Sequence, residues 1–107
     1  MKIVLVEEAE QDLQDAAFFL NAEATESIPL RFIDSFLSSI EILRDNPEAG
    51  RNLFPENGIV KYRNWFIIGF SNWRIIYSVA DDAIRILRIV HGARALKAIY
   101  QRLIDNE

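Results

Sequence analysis

WRIIYSVADDAIRILRIVHGAR, residues Trp73 to Arg94, is the stretch that decides how this chain folds. Trp73, Ile75, Tyr77 and Val79 alternate with Arg74, Ile76 and Ser78, which is the two-residue period of a strand with unlike faces. Ala80, Asp81 and Asp82 make a tight turn, and Ala83 to Val90 return as a second strand, so the stretch predicts a β-hairpin. The end of the hairpin holds the only histidine of the chain, His91, followed by Gly92. Beyond that glycine, Leu96, Ile99, Tyr100 and Leu103 fall on one face of a short terminal helix. Just upstream, Ile59 to Phe70 supply one or two further strands, with Gly69 as a bulge or bend.

The N-terminal half carries a different period. Lys2 to Val6 is short, β-branched and unbroken, as expected of a buried first strand. Ala9, Leu13, Ala16, Ala17, Leu20 and Ala24 then recur at helical spacing over roughly residues 7–23, with acids in the first turn that suit the helix dipole. The remaining acids of this helix read as its solvated face. Thr25 or Ser27 can cap a second helix whose first turn holds Pro29. Its stripe is Ile28, Phe32, Phe36, Ile40 and Leu43, widened by Ile33 and Leu37, and Asn46-Pro47 ends it. Residues 47–58 are turn-rich and read as irregular. The order β-α-α-β-β-β followed by a short C-terminal helix predicts an α+β domain. Its antiparallel sheet has helices on one face and is partly open on the other.

Composition narrows the function. The 107 residues are half apolar and contain no cysteine, which fits one domain spanning 1–107 without disulfides or thiolate metal sites. The first residues are too acidic and their apolar run too short for a signal peptide, and nothing reaches membrane-spanning length. A cytoplasmic protein with no membrane association is therefore expected, and no metal or other cofactor is called for. Net charge is −4, which argues against broad nucleic-acid binding. The charge is uneven, however. Residues 1–57 carry four Lys/Arg against twelve Asp/Glu, while residues 58–94 carry six against two, which suggests faces with different partners. No Gly-rich phosphate loop or nucleophile elbow occurs.

A helical hairpin ending in NPEAGR (Asn46 to Arg51), followed by the Trp73 to Arg94 hairpin with its HGAR ending, resembles the RelE/ParE superfamily of type II toxin–antitoxin toxins. The likeness is greatest to the ParE and plasmid-stabilisation branch. It runs in order and spacing through nearly the whole chain. It implies a cytoplasmic toxin neutralised by a cognate, ParD-like antitoxin, present as a homodimer or a toxin–antitoxin hetero-oligomer. ParE-type members poison DNA gyrase, whereas RelE-type members cleave mRNA on the ribosome. Arg74 stands where the superfamily often has a strand arginine, and in RelE-type toxins that arginine helps hold the scissile phosphate. His91 stands near the place of an acid/base residue in some ribonuclease members. Two positions depart from the pattern: Ser78 replaces a common second arginine, and Ala95 follows Arg94 where ParE-like chains often have aspartate.

Metal-independent RNA cleavage needs an acid, a base and cations for the charge that develops on phosphate. Arg74 and His91 are the catalytic candidates if the protein is a nuclease. Lys61, Arg63, Arg74, Arg88 and Arg94 are the candidates for target binding, with Tyr62 an additional contact. Strand parity separates Arg88 from His91, which favours a structural turn over a catalytic corner. Arg74 should project from the face not covered by helices, unless Asp81 or Asp82 pairs with it. Three readings follow, in order: a gyrase-binding toxin that is not an enzyme, a ribosome-dependent endoribonuclease, and a diverged, non-toxic binding module.

Overall fold

The computed structural model describes residues 1–23, 27–54, 58, 61–92 and 96–107, with 21–23 and 27 described by their backbone. Five strands, β1 (Lys2–Leu5), β2 (Arg51–Asn52), β3 (Arg63–Ile67), β4 (Phe70–Ala80) and β5 (Ala83–His91), form one sheet in the order β1-β5-β4-β3-β2. The helices are α1 (Glu7–Glu23), α2 (Ser27–Asp45) and α3 (Leu96–Asp105). From β2 to β5 the pairing is antiparallel, as expected. β1 runs parallel to β5, which makes the sheet mixed. The Thr25 cap and the residues Ile59, Arg94 and Ala95 lie outside the described residues.

α1 and α2 pack as a hairpin on one face of the sheet. Ala9 and Ala16 are small enough to bring α1 close, and Phe32, Phe36, Ile40 and Leu43 project from α2 at three- and four-residue intervals. They meet Ile67, Ile75, Tyr77, Ile84, Ile86 and Ile89 in the main core. Ser39 is the buried polar residue of α2. Its hydroxyl donates to the Ser35 carbonyl at 2.7 Å and accepts the Ile68 N–H at 2.9 Å, fastening α2 to the end of β3. Gly69 takes a positive φ of 79° in the turn between β3 and β4, consistent with its reading as a bend.

The expected gathering of helices on one face is corrected by α3. Ile99, with Leu96, Tyr100, Leu103 and Ile104 around it, packs against Ile76, Val90, Leu53 and Tyr62 in a second, smaller core. Ile76 and Val90 lie on the opposite face of the sheet from Ile75 and Ile89, so the sheet is sandwiched between the helical hairpin and α3. The apolar face of α3 was legible in the sequence; which side of the sheet it would cover was not.

The turn-rich segment after α2 is also more ordered than its composition suggests. Tyr77, fully buried on β4, donates its hydroxyl proton to the Pro47 carbonyl at 2.8 Å and accepts the Gly50 N–H at 2.9 Å. Arg63 adds bonds from Nη1 to the carbonyls of Gly50 (2.9 Å) and Glu48 (3.2 Å). The NPEAGR motif is thus a loop tied to two strands. Only glycine fits at position 50, because a Cβ there would lie 2.7 Å from Tyr77 Cε1 and 2.9 Å from the Asn64 carbonyl oxygen.

Candidate functional site

The register of the β4–β5 hairpin determines which candidates can act together. Ala80 pairs with Ala83 and Tyr77 with Ile86, but Ile76 pairs with Arg88, so Leu87 is one extra residue in β5. Beyond this bulge Arg74 faces Val90, and Trp73 faces His91. An unbroken ladder would have set His91 on Arg74's side of the sheet. The bulge carries it to Trp73's side, that of the helical hairpin. There its ring lies 4.7 Å from Trp73 and 6.2 Å from Phe19, centroid to centroid. Gly92 closes the strand at a φ of 82°, with its N–H donated to the Asn72 carbonyl. The two candidate catalytic residues therefore project from opposite faces and do not converge on one phosphate.

Three of the candidate binding cations are engaged within the fold. Arg88 sits past the end of β1, at the edge of β5. Its Nε and Nη2 donate to the Asp12 carboxylate at 2.7 and 3.1 Å, and Asp12 Oδ2 also accepts the Ile89 N–H at 2.9 Å. Those hydrogen bonds to Asp12, more than the charge alone, push the already high pKa of Arg88 further up. Asp12 is thus not part of a solvated face. It neighbours the buried or half-buried Ala9, Leu13 and Ala16 along α1, and that placement was the available sign. Arg63 holds the NPEAGR loop. Lys61 pairs with Glu107 at 3.0 Å, and the other oxygen of Glu107 accepts the Tyr62 hydroxyl proton at 2.6 Å. Burial and this bond push Tyr62 up to about 12, while the bonds from Tyr62 and Lys61 lower the pKa of Glu107.

Arg74 differs from these. It is half-buried on the α3 side and makes no hydrogen bond or ion pair among the described residues; Asp81 and Asp82 lie at the far end of β4. It lines a concavity of about 380 Å³ together with Arg51, Asn64, Trp65, Phe66 and Ala49. Sequence reasoning passed over Arg51, which looked like the last letter of a loop motif. Arg94, the fifth cation, lies outside the described residues.

On the helical side, Phe18, Leu30 and Leu37 are 78, 70 and 50 % exposed, an unusually apolar outer surface for a small domain. Among the described residues no three histidine, aspartate or glutamate side chains gather as a metal site, and no helix is long and apolar enough to cross a membrane.

The family model for the ParE toxin of type II toxin–antitoxin systems, parDE, matches residues 3–96. The chain belongs to the ParE toxin family. Among solved structures, this ParE chain is similar to one described as the chromosomal ParDE TA system from P. aeruginosa, at 19 % identity and a TM-score of 0.70. The match covers 87 % of this chain and 97 % of that one, so it establishes a shared fold. No curated protein matches the chain significantly. The family match ends where α3 begins, so the helix that covers the second face of this ParE, and the Glu107 tether, lie almost wholly beyond it.

Proposed function

We propose that this ParE-family protein is a cytoplasmic toxin that inhibits DNA gyrase by binding it rather than by catalysis, and that a cognate ParD-like antitoxin neutralises it. The separation of Arg74 from His91 across the sheet carries this reading. A nuclease requires its proton-transfer group and its phosphate clamp within reach of the same linkage, and here a 9-residue strand with a bulge keeps them apart. Family membership adds weight, as does the net charge of −4, which suits a protein target better than a ribosome. The exposed apolar residues of the helical hairpin fit an antitoxin segment that folds on binding. A role in plasmid stabilisation and a toxin–antitoxin hetero-oligomer follow from the same reading.

The test pairs two assays on one preparation. Purified protein should inhibit supercoiling by gyrase and leave mRNA intact in a translation extract. Cleaved mRNA with unaffected gyrase would establish the RelE-like reading instead. Normal growth on expression without antitoxin would point to a diverged, non-toxic module.

A further inference from the structure

The concavity that contains Arg74 has the chemistry of a binding site for an acidic peptide. Arg51 on β2 is paired in register with Asn64 on β3, and Arg74 on β4 with Phe66 on β3. Paired residues share a face, and Asn64 and Phe66 are two apart, so all four project to one side. The arginines rise from strands flanking β3, which sets their backbones ~10 Å apart across the sheet. Neither guanidinium has a hydrogen-bond or ion-pair partner among the described residues. Between them Phe66 is 37 % exposed, an apolar surface on the floor of a cationic site.

We infer that this concavity binds a pair of carboxylates on an extended acidic peptide segment, one on each arginine, with a neighbouring apolar side chain resting on Phe66. Guanidinium forks match carboxylates in a bidentate geometry. A nucleic-acid strand is the poorer occupant, because it requires a continuing run of cations for successive phosphates. Among the described residues Arg88 is neutralised by Asp12 and Lys61 is paired with Glu107, so neither extends the cationic site. The inference concerns a peptide site and is independent of the toxin's target; a protein that leaves gyrase untouched could still carry it.

The test is a titration of the full chain with acetylated tetra-glutamate, followed through the arginine Nε–H signals by NMR, beside a thymidine tetranucleotide. Saturable shifts of the Arg51 and Arg74 signals are expected with the peptide. Arg74→Ala should weaken binding by about tenfold or more, the scale of a charged hydrogen bond. Arg51→Ala should weaken it severalfold, and Arg74→Lys, which keeps the charge and loses the fork, should fall between Arg74→Ala and the unaltered protein. Arg85→Ala, an exposed cation elsewhere on β5, should leave it unchanged. Absence of saturable shifts, an equal loss from Arg85→Ala, or tighter binding of the tetranucleotide would each overturn the inference.

Discussion

Removing one oxygen atom, in Tyr77→Phe, tests how the NPEAGR loop is held. The hydroxyl makes two hydrogen bonds, one donated to Pro47 and one accepted from Gly50, at a position with no solvent exposure. Each bond contributes ~1 kcal/mol net, and an unsatisfied buried N–H costs ~1–3 kcal/mol, so the variant should lose about 2–4 kcal/mol. In a domain of this size that corresponds to a fall in Tm of about 10 °C or more. Urea unfolding should show a lower midpoint with an unchanged slope, since the ring still fills its space. Gly50→Ala provides the second half of a double-mutant cycle. Its Cβ would press on Tyr77 Cε1 and the Asn64 carbonyl, and it should destabilise the protein by a similar amount. In the Tyr77→Phe background the ring is no longer anchored and can yield, so the losses should be less than additive by ~0.5 kcal/mol or more. A loss below ~0.5 kcal/mol for Tyr77→Phe, or strict additivity, would refute the loop anchor.

Other perturbations follow from the same contacts. Asp12→Ala leaves a partly buried Arg88 and the Ile89 N–H without their acceptor and should cost about 3 kcal/mol by denaturant unfolding, against less for the double variant Asp12→Ala/Arg88→Met, which removes both charges. Glu107 has a lowered pKa in the folded state. Its contribution to the docking of α3 is therefore full above the unfolded value of 4.5 and lost as pH falls through the folded value, so hydrogen exchange should show α3 released first on acidification. Tyr62 shifts the other way: stability should hold up to pH 10.0 and fall as pH rises toward about 12, with tyrosinate absorbance marking the change. His91→Ala removes a stacking contact with Trp73 and should cost ~1 kcal/mol at most while leaving toxicity in cells intact; loss of toxicity with unchanged folding would return His91 to the active candidates.

The hairpin was legible because alternation, turn and return are all local. The helical stripes were legible for the same reason, and α1 and α2 lie where their spacing placed them. β2 was not, since two residues carry no period and Arg51–Asn52 owe their strand geometry to pairing with β3. The roles of the cations were hidden by distance in the chain: Arg88 meets an aspartate 76 positions earlier, and Arg63 bonds to backbone carbonyls that leave no mark on composition. The facing of His91 depended on a single inserted residue. Its trace is the spacing of Ile84, Ile86 and Ile89, three core positions separated first by two and then by three. Tyr77 was placed on the correct face, but the hydroxyl that made its burial informative had no visible partner until the loop was in place.

β1 pairs with β5 only as far as Ile86, and β5 continues to His91. The rest of that edge would be a row of open amide and carbonyl groups, the surface on which a strand from another molecule adds. Asp12 occupies the Ile89 N–H at this point, and Arg88 bonded to it holds its carboxylate in place. The pair therefore closes the Ile89 N–H of this edge to pairing with an added strand.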